Sequence, residues 1–489
     1  MRDLRQKIAI SVISQVVGQI LMGLFGVVAL RVMTNSLGLR GYGVYATIYA
    51  FVTTFSILTE LGVNSIGIRE IAKSPDNAQE IISHNLGLRM TLSVFAIPVI
   101  FLIGILLYPH ASSDLRFGIL LLSVYLIFDA ASSTASAYFS AKVRNEIPAT
   151  LAVIRQIVFM VIVIGVAFLG WGLYGFLLAF IVSTAISASL TLWIMHKTLS
   201  AAPKFKLRIW RNFMKMSISV GVLTIIGTIY LKADSILLSV MKGTTAVGIY
   251  NVAYSLINVF IYFSGFLMGA LIPSIATASA HELKNIIQKA FHVMGVFAFL
   301  VLVGGVVVRK DAVILVSNVH FAEASMPFAI LALATVFSYF FTIFSFASTA
   351  LNKHHKMIYI SVTTLFLNIG INLLVIPKFG LIGAAWATVL SEFVAVVLGY
   401  RLFHIQTGIK IDFKVLLRPF LASLATYIIA SALHTYLHTS SALLNCILAL
   451  LYIGIPYFLI LNWLHGMPEE INDLIHKSFS GISSPSNNH

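Results

Sequence analysis

Charged side chains stand out in this sequence because they interrupt long stretches of apolar residues. An ionisable group inside a membrane is costly, and it commonly marks a substrate path or an ion path. Arg89 and Arg155 lie within about two turns of the predicted inner interface, so each either lines a cavity or extends to water. The complete set comprises the cations Arg31, Arg89, Arg155 and Lys232 and the acids Glu60, Asp129, Asp234 and Glu392.

Two of the acids, Asp129 and Glu392, lie about halfway along their apolar stretches, too far from water for the carboxylate to reach it. Ionisation of a carboxylate buried there costs desolvation energy, so the group favours binding of a proton or a sodium ion. Asp129 and Glu392 are therefore the predicted ion-coupling residues, and Asp234 and Glu60 are the next candidates.

Uncharged polar residues form a second pattern. Asn251, Tyr254 and Asn258 recur at positions i, i+3 and i+7, so they share one face of a helix. A polar stripe in a membrane either lines a cavity or hydrogen-bonds to another helix. The small hydroxyl residues of 130–138 present a similar choice between a sugar path and close helix packing, and close packing is the simpler interpretation.

Histidine and cysteine do not indicate metal chemistry. His354 and His355 lie in a basic connection and are interpreted as solvated loop residues. His434 and His438 are spaced i, i+4 near a helix end, but no third ligand lies near them in the sequence, so no metal site is predicted. The single cysteine, Cys446, excludes an internal disulfide and a multi-thiolate site.

The elements that position these residues must cross a membrane. Of the 489 residues, 59% are hydrophobic and 10% are charged, against roughly 45–50% and 25% in ordinary soluble domains. This composition excludes a soluble enzyme, a secreted disulfide scaffold and a disordered chain. The net charge of +15 is interpreted as Lys and Arg in cytoplasmic loops rather than as a nucleic-acid surface, so no nucleic-acid partner is expected.

Apolar runs follow one another along most of the chain. About fourteen of them reach the roughly 20 residues that one crossing needs. Most of the 32 Lys and Arg residues fall on the same side as the N-terminus, which predicts that both termini are cytoplasmic. The predicted fold class is an all-α polytopic membrane protein with about 14 transmembrane helices.

The sequence also contains an internal repeat. At nearly one offset, the first half matches the second in the pairs Gly38 and Gly243, Gly43 and Gly248, Tyr45 and Tyr250, Gly172 and Gly380, and Gly175 and Gly383. The offset covers six predicted spans, an even number, so the two halves form parallel repeats. The predicted domains are six-helix lobes at 1–200 and 201–405, followed by two additional helices and a cytoplasmic tail at 406–489. Transporters of this design place their site between the halves.

Several segments resemble the polysaccharide-biosynthesis family. They are LGLRGYGVY at 37–45, ELG at 60–62, IREIA at 68–72, ADSILL at 233–238, VGIY at 247–250 and IPKFGLIGAA at 376–385. This family contains the O-antigen and exopolysaccharide repeat-unit flippases, within the superfamily of multidrug and lipid II exporters.

The resemblance implies a protein of the inner (cytoplasmic) membrane that serves lipopolysaccharide or exopolysaccharide biosynthesis. It implies movement of an undecaprenyl-diphosphate-linked oligosaccharide from the inner to the outer leaflet by alternating access. Membrane lipids, the polysaccharide polymerase and the chain-length machinery are the partners expected beside this substrate.

Such a substrate implies roles for the candidate residues. The lipid tail can stay in the bilayer, whereas the sugar hydroxyls need a polar cavity. The diphosphate favours fixed cations, and arginine grips phosphate oxygens with two parallel hydrogen bonds. The implied diphosphate-binding residues are Arg31, Arg89, Arg155 and Lys232, and the implied polar cavity residues are Asn251, Tyr254 and Asn258.

Two alternative functions differ in the residues they need. An ion-coupled antiporter for drugs or organic cations, from the same superfamily, needs an acidic, aromatic cavity, and the basic residues and family segments favour the flippase. A membrane glycan polymerase or ligase needs catalytic acids in a large outer loop, but the segment 309–326 carries only Asp311 and Glu323, so an enzyme is not expected. The sequence has no Gly-rich nucleotide-binding loop, so no cofactor is expected, and a proton or sodium gradient is the predicted energy source.

Overall fold

The structure, a computed structural model, describes residues 2–351 and 353–469, and all regular elements within these ranges are helices. The α-helices are α1 Arg2–Phe55, α2 Ile57–Glu60, α3 Val63–Lys73, α4 Ala78–Leu107, α5 Ser113–Ser123, α6 Tyr125–Ala141, α7 Glu146–Leu169, α8 Gly172–His196, α9 Leu207–Lys242, α10 Thr244–Thr277, α11 Ala280–Val307, α12 Arg309–Val316, α13 Ser325–Ala350, α14 Met357–Thr407, α15 Leu417–Leu437 and α16 Ala442–Trp463. Short 3₁₀ helices cover Pro75–Asn77, Val319–Ala324, His354–Lys356 and Phe413–Leu416.

Twelve helical stretches of the described chain are long and apolar enough to cross a membrane. Two of them, Val17–Lys73 with 57 residues and Met357–Thr407 with 51, are far longer than one crossing requires. Both are broken by a glycine with non-helical backbone angles, Gly38 in α1 and Gly380 in α14. Each therefore supplies two spans, and the predicted all-helical fold with about fourteen spans is confirmed.

The internal repeat appears in the backbone angles as well as in the amino-acid sequence. Gly38 has φ 64° and ψ −174°, and its counterpart Gly243, between α9 and α10, has φ 85° and ψ 173°. Gly172 and its counterpart Gly380 also have positive φ, at 60° and 54°. An L side chain rarely adopts such angles, so glycine at these breaks is required by the backbone conformation.

Equivalent glycines of the two repeats also contact each other. A Cβ added to Gly43 in α1 would lie 2.5 Å from the carbonyl oxygen of Thr244. A Cβ added to Gly248 in α10 would lie 2.8 Å from the Cα of Gly43. Because neither residue has a side chain, the backbones of α1 and α10 come together directly at this point.

Contacts divide the chain into two compact units. The first unit comprises the described residues of Met1–Ser255, Val316–Ala324 and Ser361–Ala387, and the second comprises those of Leu256–Leu315, Ser325–Ile360 and Thr388–His489. These units describe where contacts are dense, and the lobe boundaries at 1–200, 201–405 and 406–489 stay a prediction. The cavities described next lie within the first unit.

Each unit has its own apolar core. In the first unit, α3, α4, α6 and α8 pack through a cluster that includes Ile71, Ile82, Tyr138 and Met195. In the second unit, the later part of α10, α11, α13 and the end of α14 pack through Met268, Phe291, Phe340, Phe344 and Phe403 among others. This packing fixes the helices whose polar faces form the sites below.

Candidate functional site

A cavity rich in aromatic side chains, called here the aromatic cavity, lies between α1, α7, α8 and α10. Its volume is about 260 Å³. The rings and polar side chains that line it are Tyr42, Tyr45, Tyr49, Phe159, Phe180, Arg155, Gln156, Ser183, Asn251 and Ser255. Tyrosine offers an apolar face and a hydroxyl together, so this cavity suits a ligand that is part apolar and part polar.

A second cavity, called here the hydroxyl cavity, lies mainly between α6, α7 and α8. Its volume is about 290 Å³. The side chains with polar groups that line it are Asn64, Asp129, Ser132, Ser133, Ser136, Ser140, Arg155, Thr184, Ser187 and Thr191. Hydroxyl groups both donate and accept hydrogen bonds, so they match the hydroxyls of a sugar.

Helix periodicity explains the polar wall of the hydroxyl cavity. Asp129, Ser132, Ser136 and Ser140 lie three or four residues apart on α6, so they share one face. Several hydroxyls bond locally, as Ser133 does in donating to the carbonyl oxygen of Asp129 at 2.6 Å. The sequence favoured close helix packing for this stretch, but the structure places a cavity along it.

Arg155 is the one residue that lines both cavities. On α7, Leu151 and Ala152 precede it on the wall of the hydroxyl cavity, and Gln156 and Phe159 follow it on the wall of the aromatic cavity. Within the described chain its guanidinium forms no hydrogen bond or ion pair. The five N–H donors of this side chain are therefore available to a ligand that reaches either cavity.

Arg89, also predicted to bind the diphosphate, has different surroundings. Its side chain is 1% exposed and it lines neither cavity. Its Nε donates to the carbonyl oxygen of Thr59 at 3.0 Å, and its Nη1 donates to the hydroxyls of Ser133 and Thr134. These bonds place Arg89 behind the polar wall of the hydroxyl cavity, and they join α4 to the end of α2 and to α6.

The remaining predicted cations lie apart from the cavity walls. Arg31 is exposed on α1. Lys232 on α9 is half-buried, and its Nζ lies 5.4 Å from the centre of the Tyr49 ring. Because Tyr49 lines the aromatic cavity, Lys232 adds positive charge behind that ring.

The predicted polar stripe of α10 is only partly a cavity wall. Asn251 lines the aromatic cavity, and its Oδ1 accepts a hydrogen bond from the Tyr42 hydroxyl at 2.9 Å. Tyr254 packs its ring 6.1 Å from that of Tyr250. Asn258 is half-buried and belongs to the second unit. Sequence reasoning missed Ser255, one turn after Asn251, which lines the same cavity.

Among the predicted acids, Asp129 lines the hydroxyl cavity. Asp129 and Glu60, the last residue of α2, both lie close enough to Arg89 to interact with its charge. Glu392 is half-buried on α14, within the second unit, and lines neither of the two cavities.

Asp234 lies in a buried polar cluster. Its side chain is 6% exposed. Its Oδ2 accepts a hydrogen bond from the Tyr250 hydroxyl at 2.8 Å, and its Oδ1 accepts one from Asn372 Nδ2 at 2.7 Å. The same Asn372 nitrogen also donates to Asn368 Oδ1 at 3.0 Å. Sequence reasoning missed both asparagines, although their i, i+4 spacing within an apolar stretch is a detectable signal.

The histidine pair that the sequence left without a third ligand acquires one in the fold. His434 of α15 and His438, the residue directly after that helix, lie beside Asp311 of α12, and the candidate ligand atoms of the three residues are within 4.8 Å of one another. The sequence argument considered only neighbouring residues, and the fold supplies Asp311 as a third potential ligand from a distant part of the chain. The aspartate lies more than a hundred residues before the two histidines in the sequence, so residue spacing alone does not reveal the group.

Comparison with known proteins identifies the family of this chain. The model of the polysaccharide biosynthesis protein family matches residues 6–279, more than half of the chain. The probable flippase AglR of Haloferax volcanii is 31% identical over 176 residues, which are 34% of this chain and 37% of that protein. The chain therefore matches well under two thirds of that relative's length.

Two solved structures have a similar fold. The lipid II flippase MurJ, in an inward closed conformation, superposes with a TM-score of 0.76 over 95% of this chain and 99% of that one, at 14% identity. An inward-facing multidrug resistance MATE family transporter of the MOP superfamily superposes with a TM-score of 0.67 over 81% and 98%, at 13% identity. At such identities the likeness shows the fold, whereas the family follows from the sequence match. This multi-pass membrane protein belongs to the polysaccharide biosynthesis protein family.

Proposed function

We propose that the protein is a flippase that moves an undecaprenyl-diphosphate-linked oligosaccharide from the inner to the outer leaflet of the cytoplasmic membrane by alternating access. The observation that carries the proposal is the uncommitted Arg155 guanidinium between the hydroxyl cavity and the aromatic cavity. Family membership and the similarity to a probable flippase and to a lipid II flippase support it. The polymerase and the chain-length machinery belong to the proposal as partners.

The two cavities divide the head group between them. In the hydroxyl cavity, serine and threonine hydroxyls replace the water that the sugar hydroxyls lose, which avoids the cost of burying them unpaired. Arg155 grips the diphosphate oxygens in a bidentate manner. In the aromatic cavity, tyrosine rings pack on the apolar faces of sugar rings, and the polar groups of Asn251 and Gln156 bond to their edges.

Size requires movement as well. Sites for drug-sized ligands have volumes of about 300–1,000 Å³, whereas each cavity here is slightly smaller, at about 260 and 290 Å³. An oligosaccharide head of several sugars exceeds either cavity alone. The proposed cycle therefore passes the head along α7, from the hydroxyl cavity past Arg155 to the aromatic cavity, while the protein opens and closes.

The test is a flipping assay on Arg155 variants. The purified protein is reconstituted into vesicles that contain a fluorescent lipid-linked oligosaccharide, and a membrane-impermeant oxidant reports the sugars that reach the outside. A hydrogen bond to a charged group contributes about 1.5–3 kcal/mol, so Arg155→Gln should slow flipping about 10- to 100-fold. Arg155→Lys should recover only part of the rate, because a point charge lacks the planar fork.

The control is Arg208→Gln, which removes an exposed arginine from the first turn of α9. It should flip at the parental rate. Parental flipping by Arg155→Gln would show that the diphosphate is bound elsewhere and would remove the basis of the proposed path.

For energy, we propose that a proton or sodium gradient acts through Asp234 and Asn372. Asp234 is buried, and the Oδ1 of Asn372 is a buried acceptor without a hydrogen bond in the described chain. Hard cations bind carboxylate and amide oxygens, and the Oδ1 of Asn368 lies beside this pair. Asp129, whose charge already interacts with Arg89, is better suited to accept sugar hydroxyls.

A gradient experiment separates these two acids. Asp234→Asn should flip substrate at one rate with or without an imposed pH or sodium gradient, because a ligand drives a cycle only by binding one conformation more tightly than another. Asp129→Asn is the matched control and should still respond to the gradient. If Asp234→Asn responds as the parent does and Asp129→Asn does not, the coupling residue is Asp129.

The rival function, export of organic cations, has one observation in its favour, the cluster of tyrosine rings around the aromatic cavity. However, the guanidinium of Arg155 on the same wall repels a cationic ligand. Vesicles loaded with a quaternary ammonium dye test this function directly, and we expect no gradient-driven efflux from them.

A further inference from the structure

Three potential metal ligands come together in the second unit, on helices that the flippase path does not use. They are Asp311 in the first turn of α12 and His434 and His438 near the end of α15. The Nε2 of His434 lies 3.2 Å from Asp311 Oδ2, and the Nε2 of His438 lies 3.6 Å from Asp311 Oδ1. Both imidazoles thus approach opposite oxygens of one carboxylate.

Local structure explains why these side chains converge. The i, i+4 spacing places His434 and His438 on one face of α15, one turn apart. The end of α11, which leads directly into α12, packs with α15 and α16 through Val303, Val307, Ala430 and Tyr452. The ligand positions are therefore held by a packed core rather than by a mobile loop.

A second layer of hydrogen bonds orients the carboxylate. Asn445 of α16 donates from Nδ2 to Asp311 Oδ1 at 2.7 Å. The amide oxygen of Asn445 accepts a hydrogen bond from the backbone N–H of Thr439 at 2.8 Å, so the amide cannot be turned without losing that bond. This arrangement directs an N–H donor at Asp311 and leaves the second oxygen, Oδ2, facing His434.

A similar contact orients the first histidine. The Nδ1 of His434 lies 2.7 Å from the hydroxyl oxygen of Tyr452. When Nδ1–H donates to that oxygen, Nε2 carries the lone pair, and this is the nitrogen that faces Asp311. Metal-binding histidines regularly have such an outer partner, which fixes the tautomer and the ring orientation.

We propose that Asp311, His434 and His438 bind a divalent transition-metal ion, with Zn²⁺ as the best match. Tetrahedral zinc with bonds of about 2.0–2.2 Å separates its ligand atoms by about 3.3–3.5 Å. The distance from His434 Nε2 to Asp311 Oδ2 is 3.2 Å, and one ligand atom from each of the three residues lies within 4.8 Å of the other two. Two imidazole nitrogens disfavour Ca²⁺ and Mg²⁺, which take oxygen ligands. His438 is 51% exposed, so the ion has an entry path.

The bound ion would act as a clamp on the C-terminal helix pair. It joins α12 to α15 directly, and through Asn445 and Tyr452 it also holds α16. Three protein ligands leave a fourth position for water or for another ligand. This site stands apart from the proposed flippase path in its chemistry and in its residues, so each is tested without the other.

The experiment is zinc titration of the full-length protein in detergent, with any affinity tag removed and bound metal stripped by a chelator. The parent should bind one equivalent of Zn²⁺, and bound Co²⁺ should give the visible absorption of a tetrahedral site. Removal of an outer hydrogen-bond partner weakens metal sites by about 10- to 100-fold, so loss of a direct ligand in His438→Gln should weaken binding by more than about 100-fold. His110→Gln, which alters an exposed histidine, is the matched control and should bind as the parent does.

A variant that restores binding distinguishes a metal site from a cluster held together only by ion pairs. His438→Cys should restore zinc binding, because a thiolate is a zinc ligand, whereas it cannot replace a protonated imidazole beside Asp311. Thermal unfolding without metal checks that His438→Gln is folded, and added zinc should raise the midpoint of the parent but not of this variant. Absence of a stoichiometric site in the parent, or parental zinc affinity in His438→Gln, would overturn the proposal.

Discussion

The two cavities along α7 share Arg155 and differ in most other lining residues. The hydroxyl cavity is walled by one polar face of α6 and one of α8, whereas the aromatic cavity is walled by tyrosine and phenylalanine rings with a few amide and hydroxyl groups between them. The first selects a ligand by hydrogen bonds, and the second by shape and ring faces. Arg155 is a fixed cation that lines both cavities. This arrangement suits a ligand that has one anionic group and a long polar head.

The hydroxyl cavity also has a buried support, Arg89, behind its polar wall. Arg89 holds Ser133 and Thr134 from behind and links them to the carbonyl oxygen of Thr59. Arg89 of α4 thus lies behind the polar wall of the hydroxyl cavity, whereas Arg155 of α7 lies on the surface of both cavities. The predictions below test this difference.

The largest effect is expected at Arg89. Arg89→Met removes a buried cation that neighbours Asp129 and Glu60, so it leaves their charges without that partner. It also removes the hydrogen bonds to Thr59, Ser133 and Thr134, and each hydrogen bond to a charged group contributes about 1.5–3 kcal/mol. The variant should lose thermal stability in detergent, with a fall in membrane protein level, and Arg89→Lys should lie between it and the parent.

A different result at Arg89 would change its assigned role. If Arg89→Met unfolds at the parental temperature and only transport is lost, Arg89 contacts the substrate and the division of tasks between the two arginines fails.

An intermediate effect is expected from filling the hydroxyl cavity. Ser136→Leu adds an apolar side chain where the sugar is proposed to lie, and it should slow flipping about tenfold, since one or two displaced hydrogen bonds contribute about 1 kcal/mol each. Binding of a lipid diphosphate without sugars should change little. Ser189→Leu, on the exposed face of α8, is the control. Equal slowing by both variants would indicate a general effect on helix packing.

The smallest effect is expected in the aromatic cavity. Tyr42→Phe removes one neutral hydrogen bond, that from the Tyr42 hydroxyl to Asn251, and keeps the ring. Such a bond contributes about 0.5–1.5 kcal/mol, so substrate affinity should fall about two- to tenfold. Tyr436→Phe, an exposed hydroxyl elsewhere, should leave affinity unchanged. A loss of more than about 100-fold would place the main polar contact of the substrate at Tyr42.

Much of the fold was predictable because each membrane span is a run of consecutive apolar residues. Apolar runs gave the spans, and the matched glycines gave the repeat that Gly38 and Gly243 show in their backbone angles. Arg155, Asp129 and Asn251 were predictable as cavity residues because charge and amide groups in a span need polar surroundings.

The rest depends on partners from distant parts of the chain. The sequence treats Arg89 and Arg155 alike, since both are arginines in apolar runs. Only the fold shows that Thr59 and Ser133 occupy the donors of Arg89. The pairing of Asn372 with Asp234 and of Asp311 with two histidines of α15 likewise arises when separate helices pack together.

The direct contact of Gly43 with Gly248 has a consequence for how the two repeats can change over time. A methyl group at either position would enter the backbone of the other repeat, because the nearest atoms are 2.5 Å and 2.8 Å away. The two sites compete for one space, so mutations there are coupled rather than additive. Duplicated segments normally diverge independently, but here a substitution in one repeat is restricted by the residue at the equivalent position of the other repeat.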